Sequence, residues 1–205
     1  FTEETKLNPS SPYSVSKASA DMLVKSYFRS FDFPMIITRC SNNYGPYQYP
    51  EKLIPLVIQK CIFEEEIPVY GNGKNIRDWI YVEDHCDALY KVLSKGKIGD
   101  NYLIGANQEK RNIEVVELIC EILDEINSSD NLNSYKNLIK YVDDRPAHDY
   151  RYAIDSTKIN KELNWNPKVN FYDGIKQTVK WYLQNMDWLN KVKMKNKALS
   201  KMDNK

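Results

Sequence analysis

Glycine is the residue this chain most lacks: there are seven in 205 residues, and none precedes Gly45. No glycine-rich loop that would lay backbone N–H groups against a phosphate therefore lies upstream of that point within the chain. Histidine is scarcer, with two, and the four cysteines, Cys40, Cys61, Cys86 and Cys120, form no C-x-x-C pair. That argues against zinc and for reduced thiols in a cytoplasmic protein. No apolar run approaches membrane-spanning length and no signal peptide is visible, so no membrane role is expected. A formal net charge of +1 gives no global field for nucleic acid. Charge concentrates only at the end, in Lys191, Lys193, Lys195, Lys197, Lys201 and Lys205. This reads as a basic, disordered tail over 191–205 rather than a binding arm. The first residue is Phe1, not methionine, which suggests a processed, truncated or fragmentary chain.

What is present begins at Ser10-Ser11-Pro12-Tyr13-Ser14-Val15-Ser16-Lys17. A serine N-cap and a proline in the first turn predict a helix start. Tyrosine and lysine four apart then share one helix face. The chain holds three such pairs, Tyr13/Lys17, Tyr70/Lys74 and Tyr172/Lys176, so spacing alone describes only a surface pair. The first differs in its serine–proline start and in the strand pattern that follows its helix. A phenol that takes a hydroxyl proton near neutral pH must fall about three units from ~10, costing ~4 kcal/mol. An ammonium ~6 Å away, at an effective dielectric of ~20, supplies ~3 kcal/mol. A second positive charge, such as an oxidised nicotinamide ring, would complete the shift, so the arithmetic favours a cofactor.

Alternating short strands and helices predict an α/β architecture. Helical spacing runs from Tyr13 to about Phe31, and Met35–Thr38 reads as a buried strand leading to Arg39. A loop follows over Ser41–Pro46, then a helix over Leu53–Phe63, a strand at Ile67–Tyr70, the Gly71–Gly73 turn and a strand at Ile76–Val82. Asp84 is expected to cap a helix to about Leu93, with an extended piece at Asn101–Ile104. Asn112 is expected to cap the most periodic helix, whose core face is Val115, Val116, Leu118, Ile119, Ile122, Leu123 and Ile126. A polar loop at 127–137 and a strand at Ile139–Val142 follow. Asp155 then caps a short helix, and a last helix runs from Tyr172 to Val192.

Several residues carry chemistry. Asn42 and Asn43 follow a strand end, where open α/β sheets bind ligands, although a tight turn explains them equally. Arg77 can clamp a diphosphate and Lys52 can add charge; a surface role for Arg77-Asp78 is the plainer alternative. The loop Asp144-Arg145-Pro146-Ala147-His148-Asp149 packs polar groups around a proline, and His148 there suits ligand contact. His85 fits a structural role in its helix.

These stretches resemble the extended short-chain dehydrogenase/reductases that act on sugar nucleotides, most closely the dTDP-glucose 4,6-dehydratases. Tyr-x-x-x-Lys is weakly specific. The run Arg39-Cys40-Ser41-Asn42-Asn43-Tyr44-Gly45-Pro46-Tyr47 through Glu51-Lys52-Leu53-Ile54-Pro55, joined to Arg77-Asp78-Trp79 and Asp144-Arg145-Pro146, is strongly so. The resemblance extends from Phe1 to about Lys193. It implies part of a Rossmann-type NAD-binding fold over 1–50, and a smaller mixed α/β sugar-nucleotide-binding domain over 51–190 with segments returning to the first sheet.

By that resemblance Tyr13 would deprotonate the 4-hydroxyl of dTDP-glucose while hydride leaves for NAD. Lys17 would assist the tyrosine and hold the nicotinamide ribose, and Asn43 would touch the cofactor. Asn42, Lys52, Leu53, Pro68, Val69, Tyr70, Arg77 and Asn112 would line the sugar-nucleotide site, with Asp144, Arg145, Pro146, Ala147 and His148 closing over it. Water would leave across C5–C6, hydride would return to C6, and the tyrosine's helix would pack in a homodimer. The family's glycine-rich loop and its Thr-Asp-Glu set for the elimination belong upstream of Phe1, so the isolated chain is expected to be incomplete for activity. Ala147 stands where glycine is common. A sugar-nucleotide epimerase or decarboxylase, and a non-catalytic sugar-nucleotide-binding remnant, remain as alternatives.

Overall fold

The computed structural model describes residues 1–144 and 149–202, with side chains to residue 195. The chain divides into two compact units, each assembled from three stretches: Phe1–Asn43, Asn75–Lys110 and Arg145–Val169 form the first, and Tyr44–Lys74, Arg111–Asp144 and Asn170–Lys205 the second.

The first unit opens with α1 (Pro12–Phe31), capped as the sequence predicts: Ser11 Oγ accepts from the Ser14 N–H at 3.2 Å, with proline in the first turn. Asp32 ends it in the left-handed region at φ 51°. The strand β1 (Ile37–Cys40) lies parallel to β5 (Asn101–Ile104), with Ile37 opposite Asn101 and Cys40 opposite Ile104. A second sheet runs in the order β2 (Asn42–Tyr44), β4 (Ile76–Tyr81), β6 (Glu109–Arg111), and β8 (Arg151–Tyr152) pairs with β4 in parallel. Two helices cover this unit's core, α3 (Val82–Lys95) and α5 (Thr157–Leu163). The core holds Ile80, Ala88, Val92, Tyr102, Ile104, Ile159, Leu163 and Trp165, so helix and strand residues far apart in sequence share one apolar interior.

The second unit centres on α4 (Asn112–Ile126), which packs against α2 (Leu53–Ile62) and α6 (Phe171–Gln184). Val115, Val116, Ile119, Ile122 and Leu123 of its predicted face are buried. Beside this bundle β3 (Ile67–Tyr70) runs parallel to β7 (Ile139–Val142), Ile67 opposite Ile139. The last helix, α7 (Met186–Met202), buries Leu189 completely and sends Lys193 Nζ to Glu65 at 2.7 Å.

Five local expectations are corrected. The Asn42–Tyr44 stretch, expected in a loop, is a strand, because β4 supplies ladder partners that the local sequence does not advertise. Asp84 does not cap α3, which starts two residues earlier after Tyr81; its buried carboxylate instead accepts from Lys168 and Val169 N–H at 3.0 and 2.9 Å. Asn112 is the first residue of α4 rather than its cap, and the Arg111 N–H donates to Glu114 at 2.7 Å. Ser156, not Asp155, is the cap residue of α5, although Asp155 still accepts from the Thr157 N–H at 2.8 Å. The expected single last helix is two. Asn185 turns its side-chain amide back onto the Trp181 carbonyl at 2.8 Å and interrupts the ladder, and the second helix continues past Val192.

Between α2 and α4 the thiols of Cys61 and Cys120 lie 3.9 Å apart, both fully buried, well beyond the ~2.05 Å of a disulfide. The neighbouring Cys120 thiol and burial push the Cys61 thiol far above its ordinary range. Cys86 is exposed. A thiol reagent followed by mass spectrometry should therefore label Cys86 in the native protein, and Cys61 and Cys120 only after denaturant is added. Native labelling of Cys61 would mean that the α2–α4 contact is open.

Candidate functional site

In the first unit the candidate residues lie on α1 and around the carboxyl end of β1. Tyr13 is 74% exposed and Lys17 is exposed one turn further along α1. The helix is tied to the strand by Asp21, one more turn along, whose carboxylate accepts from Arg39 Nε at 2.6 Å. Arg39, taken from sequence as a residue at the ligand end of a strand, is thus an anchor within β1. Just beyond it, Asn43 Nδ2 donates to Cys40 Sγ and to the Ser41 carbonyl, both at 3.2 Å. Burial pushes the Cys40 thiol up, while the Asn43 amide and the Lys17 charge pull it back. Lys17, Cys40 and Asn43 therefore share one electrostatic neighbourhood, with Asn42 adjoining in β2.

Arg77 lies in β4. It donates to the carbonyls of Ile76 at 2.7 Å, Asp149 at 2.8 Å and Tyr150 at 3.5 Å. It holds the chain immediately after the Arg145, Pro146, Ala147 and His148 segment, and those four residues lie outside the described residues. Asp78, weighed from sequence as part of a surface pair, is fully buried. Its carboxylate accepts from the Ala106 and Gln108 N–H groups at 3.1 and 2.7 Å, and a Cβ at Gly105 would come within 2.7 Å of it. His85 is half-buried and burial lowers its basicity, as fits its structural reading.

In the second unit the residues fall into two groups. Lys52 and Leu53 stand at the start of α2; Lys52 is exposed and pairs with its neighbour Glu51 at 3.0 Å. Pro68, Val69 and Tyr70 form β3, which leads into the Gly71–Gly73 turn. Gly71, at φ 57°, leaves room for Asp144, whose carboxylate would meet a Cβ there at 3.1 Å. The Gly73 carbonyl accepts from the Ile113 N–H at 3.0 Å, which brings the end of β3 to the start of α4. The helix N-terminus carries partial positive charge there. Asn112 Oδ1 is buried in that corner and accepts no hydrogen bond among the described residues. Val69, Tyr70, Asn112 and Asp144 thus meet at one corner of this unit, while Lys52 and Leu53 stand at the start of another helix.

Sequence reasoning missed Asp21 and the buried role of Asp78. The first had a signal, since Tyr13, Lys17 and Asp21 repeat every four residues on one face. The second had none, because its partners are backbone amides.

The family model described as GDP-mannose 4,6 dehydratase matches residues 1–178. The dTDP-glucose 4,6-dehydratase of Escherichia coli is 54% identical over 194 residues, 94% of this chain and 54% of the relative. The structure of the Bacillus anthracis str. Ames dTDP-glucose 4,6-dehydratase in complex with NAD is 49% identical. Its TM-score is 0.85, over 94% of this chain and 58% of that one. The Streptomyces venezuelae dTDP-glucose 4,6-dehydratase DesIV, solved with NAD bound, is 40% identical with the same TM-score of 0.85, over 94% and 57%. The chain spans about half the length of the curated relatives it matches. The fold expectation is met: the architecture is α/β with parallel strand pairs, and these neighbours are of the Rossmann type.

Replacing Asp78 by alanine strands two N–H groups in a dry interior. The Asp78→Ala variant should lose about 2–4 kcal/mol of stability, read as a lower urea midpoint at unchanged slope. An unchanged midpoint would show that the 105–108 turn holds without it.

Proposed function

This chain belongs to the GDP-mannose 4,6 dehydratase family, and we propose that it carries the proton-transfer pair and much of the nucleotide site of a cytoplasmic, NAD-dependent dTDP-glucose 4,6-dehydratase. The observation that carries this reading is the neighbourhood at the end of β1, where Lys17 and Asn43 lie near Cys40, with the exposed Tyr13 one turn before Lys17 on the same face of α1. A phenol and an ammonium on one face, with a carboxamide side chain near them, suit the hydroxyl-rich ribose and amide of a nicotinamide nucleoside. Tyr13, Lys17 and Asn43 would hold that end of NAD. When bound, the cofactor takes up a hydride and gives it back, so one turnover leaves it unchanged.

The chain's own residues then do the following. Tyr13 Oη takes the proton of the sugar 4-hydroxyl as that carbon becomes a carbonyl. The Lys17 ammonium, one turn along the same helix face, places a positive charge on the side where that proton is taken. Arg39 and Asp21 keep α1, and hence both groups, against β1. Asn42 meets the sugar nucleotide. Lys52 faces its diphosphate at small cost, because an exposed pair with Glu51 is worth only about 0–1 kcal/mol. Leu53, Pro68, Val69 and Tyr70 give the apolar and backbone walls of the base site. The Asn112 oxygen, which accepts no hydrogen bond among the described residues, suits an N–H donor of the base. Arg77 lines the diphosphate and steadies the segment carrying Arg145 to His148, which together with Asp144 would close over the nucleotide. Loss of water across C5–C6 would leave a 4-keto sugar unsaturated between C5 and C6, which becomes the 4-keto-6-deoxy product once hydride returns to C6 and a proton to C5. We further propose a homodimer, in which a second copy covers Val15, Met22, Leu23, Tyr27 and Phe31, exposed along α1.

The test uses the full-length protein and dTDP-glucose. Mass spectrometry should show a product lighter by one water, and Tyr13→Phe should lower kcat by about 10²–10⁴. A product of unchanged mass would mark an epimerase, and binding without any product would mark a remnant.

A further inference from the structure

We propose that α6 is the support that fixes the loop between Asn43 and Lys52, and that Tyr182 is its positioning residue. This rests on the proposed function for its consequence, since Lys52 and Leu53 stand at the loop's end.

Residues 45–52 lie in neither helix nor strand, and two of them, Pro46 and Pro50, have no N–H to donate. Few backbone bonds of their own hold their shape, so side chains that reach them contribute to it. One face of α6 supplies these at successive turns. At the helix start the Phe171 ring meets the Tyr44 ring with centroids 5.5 Å apart. One turn on, Gly174 leaves room for the Tyr44 hydroxyl: a Cβ there would lie 2.2 Å from it, and Tyr44 is only 1% exposed, so its ring has nowhere to move. Two turns further, the buried Tyr182 hydroxyl donates to the Gln48 carbonyl at 2.5 Å. Burial pushes this phenol well above its ordinary range, so it remains a donor throughout the physiological pH range. Beside it the Trp181 ring lies 4.4 Å from that of Tyr47.

Tyr47 itself sits at φ 60°, a left-handed conformation that costs a non-glycine residue energy and persists only where neighbours enforce it. Its neighbours are Trp181, whose ring packs on it, and Tyr182, which holds the next carbonyl. From Gln48 the chain turns tightly, the Glu51 N–H donating to the Tyr49 carbonyl at 2.8 Å, straight into Lys52 and α2. The direction in which Lys52 leaves the loop is therefore set by a hydrogen bond from a helix more than 130 residues later in sequence. Without that bond the strained residue can relax and Lys52 no longer meets a diphosphate already oriented.

The experiment is Tyr182→Phe in the full-length protein, which keeps the ring and removes one hydroxyl. Amide exchange over residues 45–52 should quicken by about five-fold, the loss expected for one hydrogen bond, with the α4 amides unchanged. The KM for dTDP-glucose should rise by about the same factor, with kcat held within about two-fold. Gly174→Ala, which displaces Tyr44, should move both readouts in the same direction and decides the matter if Tyr182→Phe does not fold. Unchanged exchange at 45–52 would overturn the clamp. Faster exchange with an unchanged KM would overturn its positioning role. If the unsubstituted protein does not turn over dTDP-glucose, the proposed function fails by itself, and the exchange readout still decides the clamp.

Discussion

Parallel strand pairing is the constraint from which the rest of this molecule follows. Two parallel strands cannot be joined by a tight turn, so the chain must cross over before it can return in register. The β1–β5 pair spans residues 37–104, and the residues between its strands do not stay in one place. Part of that crossover builds α2 and β3 in the second unit before the chain comes back for β4 and α3. The β4–β8 and β3–β7 pairs repeat the situation with still longer excursions. Each unit is consequently sewn from three stretches, and neither could be cut from the chain as a continuous segment.

This pairing also explains where the chemistry sits. A parallel strand delivers its carboxyl end to an edge where loops are free to diverge, and that is where Cys40, Asn42 and Asn43 lie. The proposed proton-transfer pair, Tyr13 and Lys17, is not on that strand but on the helix before it. Its placement depends on Arg39 reaching Asp21, a charged contact three-quarters screened from water on both sides. A partly desolvated, short pair of this kind holds geometry better than the many exposed pairs elsewhere, such as Lys140 with Glu66.

Buried carboxylates perform the corresponding task for the backbone. Asp78 and Asp84 follow each other within seven residues, and each takes two main-chain N–H groups from a segment distant in sequence. In both cases two main-chain amides satisfy the buried carboxylate, which fixes the local path of the segment that supplies them. Arg77 works in the opposite sense, donating to carbonyls of the 149–150 segment.

By itself the sequence determined the elements whose cause is local. Ser11 and Pro12 announce α1, the periodic apolar face announces α4, and Tyr13/Lys17 share a helix face wherever that helix is placed. The α/β class follows from the alternation of such elements. Tertiary structure alone decided what depends on contact between distant residues. It made a strand of Asn42–Tyr44, because β4 offered a ladder. It moved Asp84 from a cap to a buried bracket for residues 168 and 169, and broke the final helix at Asn185. It also gathered Val69, Asn112 and Asp144 into one corner, though more than seventy residues separate the first from the last. Propensity and periodicity are properties of neighbours in the chain, whereas a hydrogen bond to a backbone amide leaves no residue type to read. The identity of the groups was therefore legible, and their partners were not.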